Sequence, residues 1–305
     1  MKFGPHISTS DTRAPSHSLC RRATLLIAAT LAALTAAATM TTVPASAAAS
    51  QAAPAASTTG CGKAPGLSSG THTILSGGTN RSYILTLPGN YDRNHPYRLV
   101  FAFHWLGGTA TDVATGRSGR PYYGLQDLSK DTTIFVAPQG ISNGWANSNG
   151  RDVAFVDAML NQFEAGLCVD TTRIFSAGFS YGAAMTYGLA CSRATVFRAV
   201  AAYSAGLLSG CSGGTLPIAY LASHGISDPT LSYSGGLALA DRFVRNNGCT
   251  MQTPPAPAKG SGAHTVTDFK NCSAGHPVEW IAFDGRHTEL LSYLPGLTWR
   301  FFTQF

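Results

Sequence analysis

Gly178-Phe179-Ser180-Tyr181-Gly182 matches the pattern G-x-S-x-G. A strand-forming run, Arg173-Ile174-Phe175-Ser176-Ala177, leads in and a helix-forming run, Ala183-Ala184-Met185-Thr186-Tyr187, leads out. In such a strand-to-helix turn the outer glycines permit a sharp bend that lifts the serine hydroxyl above the sheet, where it can attack a carbonyl carbon. A serine hydroxyl is a weak nucleophile unless a base takes its proton and an acid orients that base. Both partners are expected later in the chain, acid first and histidine second, on loops that follow strands. Asp228, in Ser223-His224-Gly225-Ile226-Ser227-Asp228-Pro229, lies just past a strand expected over 218–224. Its competitor, Asp241, falls inside a helical stretch, where a solvated face accounts for a carboxylate. His287, in Phe283-Asp284-Gly285-Arg286-His287-Thr288, follows the last expected strand and is the expected base. His264 and His276 flank a cysteine loop and read as surface residues. His104 and His224 end strands and read as groups that hold loops by hydrogen bonds. The chemistry is acyl transfer through a serine-bound intermediate, which requires no metal and no cofactor.

Such a reaction also needs N–H donors aimed at the oxyanion of the tetrahedral intermediate, each worth about 3 kcal/mol. Tyr181, at the start of the helix after Ser180, is one expected donor. The second is expected after an early strand, and Phe101-Ala102-Phe103-His104-Trp105-Leu106-Gly107-Gly108 fits, being an apolar run ending in a glycine turn. Leu106 is the first choice there and Trp105 the second.

These loops require a sheet to project from. Strands are expected over 82–87 and 98–104, with a turn at Gly89-Asn90-Tyr91-Asp92, and over 133–137, 173–177, 200–203, 218–224 and 278–283. Helices are expected over 152–166, where Val153, Val156, Leu160 and Phe163 recur at three or four residues, over 181–191, and over 235–246 before Gly248. In the tail Leu290, Leu294, Leu297, Phe301 and Phe305 share a helical face. Strand alternating with helix predicts the α/β class: a mostly parallel central sheet with helices on both faces. Pro254-Pro255-Ala256-Pro257 reads as a loop within that domain, because a strand and a helix follow it.

The 305 residues are 12% charged and 44% hydrophobic, which excludes a disordered polyelectrolyte. Arg21-Arg22, an apolar run over 23–40 and Ala45-Ser46-Ala47 have the order of a secretory signal over 1–47, possessing the paired arginines of twin-arginine export. Cys20 precedes the apolar run, on the wrong side for a lipoprotein anchor. Residues 48–59 read as a disordered spacer and 60–305 as the catalytic domain. Beyond the leader 17 bases face 14 acids with no basic stripe, which argues against nucleic-acid binding. No second apolar stretch is long enough to span a bilayer, so no membrane contact is expected after processing. Six cysteines survive cleavage, an even count that in an exported chain predicts disulfides. No C-x-x-C suggests zinc. The expected pairs are Cys249–Cys272, Cys191–Cys211 and Cys61–Cys168.

Taken with Cys61-Gly62, Gly144-Trp145-Ala146-Asn147, Cys168-Val169-Asp170, His224-Gly225-x-x-Asp228 and the Gly-x-His287 loop, most of residues 61–305 resembles bacterial secreted feruloyl esterases. These have the α/β-hydrolase fold and are related to polyhydroxybutyrate depolymerases. The resemblance implies a Ser180–His287–Asp228 triad that releases ferulic and related hydroxycinnamic acids from plant cell-wall esters such as feruloylated arabinoxylan. It further implies a flat apolar slot for the aromatic acyl group, for which Trp105, Trp145 and Tyr181 are the candidates. His104-Trp105 stands where many relatives have His-Gly. Gly285-Arg286-His287-Thr288-Glu289-Leu290 stands where they often have Gly-Gly-His and then Trp-Pro. Both departures bear on acyl preference more than on the reaction. A polyester depolymerase or an acetylxylan esterase would use the same triad. An inactive carbohydrate-binding relative would have no need to keep Ser, Asp and His in order. The expected state is a monomer.

Overall fold

A computed structural model describes residues 56–117, 119–288 and 291–305. The expected leader over 1–47, most of the expected spacer, and Glu289 and Leu290 lie outside them. The end of the spacer differs from expectation. Ser57 forms a β-bridge to Asp170, and Thr58 donates its hydroxyl to Leu167 O at 2.6 Å while accepting from Val169 N–H at 3.0 Å. Its polar residues are docked because the chain edge at 167–170 offers backbone partners that composition alone does not reveal.

Among the described residues nine strands form one sheet: β1 (Gly70–Ser76), β2 (Thr79–Thr86), β3 (Tyr97–Phe103), β4 (Thr133–Pro138), β5 (Val169–Phe179), β6 (Ala199–Tyr203), β7 (Ala219–Gly225), β8 (His264–Asp268) and β9 (Val278–Phe283). Their order is β1-β2-β4-β3-β5-β6-β7-β9-β8. Strands β4, β3, β5, β6, β7 and β9 run parallel, whereas β1, β2 and β8 are antiparallel additions at the two edges. The helices are α1 (Ala110–Thr115), α2 (Leu125–Ser129), α3 (Arg151–Gly166), α4 (Tyr181–Ser192), α5 (Tyr233–Asn246) and α6 (Leu294–Phe302).

A strand sends alternate side chains to opposite faces, so a parallel sheet covered on both sides reads as an unbroken apolar run. On β3, Leu99, Phe101 and Phe103 join the core under α3, α4 and α5, while Val100 and Ala102 join the core under α1, α2 and α6. Three disulfides close the frame: Cys61–Cys168, Cys191–Cys211 and Cys249–Cys272. Among the described residues no helix is long and apolar enough to cross a membrane.

Candidate active site

Ser180 sits between β5 and α4 with φ 56° and ψ −115°, a backbone conformation that side chains other than glycine rarely adopt. Close packing holds it there. A Cβ on Gly178 would stand 2.4 Å from the carbonyl group of Gly182, and one on Gly182 would stand 2.0 Å from Phe103 O. The helix thus presses against both β5 and the end of β3, and the Ser180 N–H is taken by Tyr203 O at 2.9 Å.

Asp228 lies on the loop after β7. Ile226 N–H donates to Phe283 O at 2.9 Å and Ser227 N–H to Gly285 O at 3.0 Å, so this loop is tied to the one after β9 that carries His287. The tie brings the carboxylate to the imidazole. Ser180 Oγ–H donates to His287 Nε2 at 2.7 Å, and His287 Nδ1–H donates to Asp228 Oδ2 at 2.6 Å. An ionised carboxylate can only accept, which assigns the proton to Nδ1 and leaves Nε2 free to receive one. Burial opposes ionisation of Asp228. The hydrogen bonds from His287 and from the Leu231 and Thr230 N–H groups outweigh it and hold the carboxyl below its ordinary pKa. Asp241, the competing acid, lies within α5.

His224 and His104 each hold a loop. His224 is buried and donates from Nε2 to Leu231 O at 2.8 Å, with the same nitrogen 3.3 Å from Asp228 Oδ2. Burial lowers its pKa and keeps it neutral. His104 donates from Nδ1 to Trp105 O at 2.8 Å and accepts at Nε2 from Gly140 N–H at 2.9 Å. Burial lowers its pKa as well. Gly107 N–H donates to Asn143 O at 2.8 Å and Gly108 N–H to Trp105 O at 3.1 Å, so the 104–108 turn is fastened on both sides. Among the described residues the N–H groups of Leu106 and Tyr181 donate to no protein acceptor.

The three aromatic slot candidates occupy different environments. Tyr181 flanks the mouth: a Cβ on Gly144 would come 3.1 Å from its Cε1 and 3.5 Å from Leu106 Cδ1. Trp105 is half-buried and leans on Phe179, ring centroids 6.5 Å apart, and Phe179 in turn packs on the His287 ring at 4.8 Å. Trp145 must be corrected. It is 0% exposed, stands edge-on to Phe103 at 5.0 Å, and donates its indole N–H to His104 O at 2.8 Å. An aromatic residue beside a catalytic loop can brace it from below as readily as line a slot, and Trp145 does the former. Phe179 and Gly144 contribute to the site without having been expected there, although Phe179 is adjacent to the nucleophile, whereas His224 holds the acid loop as expected.

The arrangement can pass the serine proton to an oriented imidazole beside two unused backbone donors. No family model matches the chain. Among curated proteins it is 48% identical over 252 residues to a probable feruloyl esterase C of Aspergillus niger, covering 81% of this chain and 91% of the relative. It is 43% identical over 265 residues to feruloyl esterase D of Neurospora crassa, covering 82% and 91% respectively. These relatives are fungal, where the sequence motifs pointed to bacterial enzymes. An acetyl xylan esterase from Aspergillus awamori superposes with TM-score 0.58 at 16% identity, covering 76% of this chain and 99% of that one. A ferulic acid esterase from Anaeromyces mucronatus superposes with TM-score 0.54 at 16% identity, over 77% and 89%. The fold is therefore that of the α/β-hydrolases, with a mostly parallel sheet and helices on both faces. Identity above two-fifths along nearly the whole length of these relatives places the chain in the feruloyl esterase family, whose members are carboxylic ester hydrolases.

Proposed function

We propose that this protein is a secreted serine esterase that releases ferulic and related hydroxycinnamic acids from plant cell-wall esters, feruloylated arabinoxylan among them. The observation that carries the reading is the Ser180–His287–Asp228 relay, at 2.7 and 2.6 Å, in a chain 48% identical to a relative named as a feruloyl esterase. His287 Nε2 takes the Ser180 proton as Oγ attacks the ester carbonyl, and Asp228 stabilises the imidazolium. The N–H groups of Leu106 and Tyr181 receive the oxyanion, with Trp105 N–H the second choice to Leu106. His287 then returns the proton to the departing sugar oxygen. Water, deprotonated by the same imidazole, attacks the acyl-serine and frees the acid and Ser180.

Three disulfides fit an oxidising compartment outside the cell. Residues 1–47 are read as a removed leader, of twin-arginine type on the strength of Arg21-Arg22, and residues 60–305 as one monomeric catalytic domain. The same reading makes the source bacterial and extends the kinship to polyhydroxybutyrate depolymerases, on the motifs quoted above.

The test is hydrolysis of methyl ferulate by the mature chain, with Ser180→Ala as the blank. Ser180-dependent release of ferulate is expected. Cleavage of a short acetyl ester with ferulate left esterified would overturn the substrate class and leave an acetylxylan or polyester esterase.

A further inference from the structure

With Trp145 sealed in the core and Trp105 lying against Phe179, the large exposed apolar side chains on the loops that border the site are leucines. Leu106 is 66% exposed, Leu207 61% and Leu208 44%. Scattered exposed leucines are ordinary, but several on loops that border one site are the kind of surface an apolar ligand covers.

The placement of Leu207 and Leu208 follows from the chain around them. Strand β6 ends beside the nucleophile, since Tyr203 O accepts the Ser180 N–H at 2.9 Å. Ser204, at φ 50°, bends the chain as it leaves β6. Leu208 N–H then donates to Gly206 O at 3.0 Å, a γ-turn with Leu207 at its tip. One end of the turn packs on the loop that carries Asp228 and the other is bonded to the 145–147 segment. A Cβ on Gly206 would lie 2.9 Å from Leu231 Cδ2, and Leu231 N–H holds Asp228. On the other side Ser209 donates its hydroxyl to Trp145 O at 2.6 Å and accepts at its carbonyl from Asn147 Nδ2 at 3.0 Å. The two leucines therefore span from the acid loop to the segment bearing Gly144, where the Tyr181 ring and the Leu106 side chain meet.

We propose that Leu207 and Leu208, with Leu106 and the face of Tyr181, form the wall that receives the aromatic ring and vinyl arm of a hydroxycinnamoyl group while its carbonyl carbon lies at Ser180. The inference rests on the esterase reading above and assigns its acyl subsite. Branched aliphatic side chains contact the flat faces of a conjugated ring without demanding polar partners, and an acetyl group has no such ring to offer them. Acyl selectivity then resides in a turn fastened at both ends.

The experiment compares kcat/KM for methyl ferulate and for 4-nitrophenyl acetate in the wild type, Leu207→Ser, Leu208→Ser and the double variant. Leu216→Ser, an exposed leucine just before β7, serves as the control. Fluorophosphonate labelling of Ser180 verifies that each variant is folded. The ferulate-to-acetate ratio is expected to fall about tenfold in each single variant and further in the double, carried by KM, with the control unchanged. A ratio equal to that of the wild type, whether both activities fall together or neither falls, overturns the wall while leaving the esterase reading intact. A wild type with no Ser180-dependent ferulate hydrolysis overturns that reading, and the assigned ligand with it.

Discussion

Asp228 is held in place by more than its histidine. One carboxylate oxygen accepts from the Thr230 and Leu231 N–H groups at 2.8 and 2.9 Å, and the other takes His287 at 2.6 Å with His224 3.3 Å away. In Asp228→Asn an amide N–H can face Nδ1, which favours the tautomer that carries its proton on Nε2 and can no longer accept from Ser180. A fall in kcat of about 10⁴-fold is expected, with fluorophosphonate labelling slowed in proportion. His224 acts one step further out, through Leu231 and the carboxylate. His224→Ala leaves Leu231 O without its donor and opens space beside Trp280, whose ring stacks on His224 at 6.2 Å. Small displacements of a catalytic group are costly, so kcat is expected to drop by up to about 10²-fold with KM little changed, and His224→Gln to recover part of it. A loss confined to KM would show that His224 shapes the pocket and not the acid. The hydrogen-bonded chain of Ser180, His287 and Asp228 was legible in the sequence because the chemistry expected of it demands an order and each residue occupies a loop after a strand. Trp145 was misread because residue type says that a ring is present but not which side of the loop it takes.

At the scale of elements, the inner strands were legible as apolar runs and α3 through its three-to-four-residue period. The edge strands β1 and β8 were missed because each exposes most of its residues and carries polar side chains such as Thr71, His72 and Asp268. The short helices α1 and α2 hold too few residues to display a period. The close approach of α4 to β3 was legible only as two glycines. In Gly182→Ala the added methyl would meet Phe103 O, forcing α4 away and shifting both the Tyr181 N–H and the backbone of Ser180. Loss of at least about 10²-fold in kcat is expected, with a lower Tm; wild-type activity would mean that the elbow tolerates a wider gap. A second element pair carries a pH dependence. Burial raises Glu279 of β9 to about 7, against the opposing pull of Arg300 on α6, which donates to it at 2.5 Å. The folded state therefore holds a proton that the unfolded chain releases above its ordinary pKa of 4.5. Stability from this group is full below that value and is lost as pH rises through 7, a change of about 1–3 kcal/mol. Thermal denaturation between pH 4.5 and 8 should show Tm falling, and Glu279→Gln should flatten that slope. An unchanged slope in the variant would assign the dependence to other groups.

Over the whole molecule, the α/β fold was legible from the alternation of strand and helix, and an even cysteine count marked the disulfide frame. The pairing also fixes how much of the chain each bridge encloses. Cys61–Cys168 closes a separation of 107 residues that contains β1 to β4, the 104–108 turn and α3. Cys191–Cys211 and Cys249–Cys272 close separations of 20 and 23 and clasp the ends of α4 and α5. The chain-entropy account assigns about 5 kcal/mol to the long loop and about 3 to each short one. Paired replacement by serine avoids a stranded thiol, so Cys61→Ser/Cys168→Ser should lower Tm more than either of the other two double variants. Catalysis should respond differently from stability. The N-terminal segment retains the Thr58 bonds to Leu167 and Val169 and the bond from Gly60 N–H to Glu164 O at 3.0 Å, all remote from the carboxyl edge of the sheet. Ser180 labelling at 25 °C should therefore match the wild type in the Cys61→Ser/Cys168→Ser variant. Equal Tm losses in all three variants would mean that native contacts at each bridge, not the length of chain enclosed, set its contribution. Slowed labelling without the long bridge would show instead that its tether reaches the catalytic edge through β3, whose first residue, Tyr97, bonds Cys168 O at 3.0 Å and whose last supplies the carbonyl against which Gly182 packs.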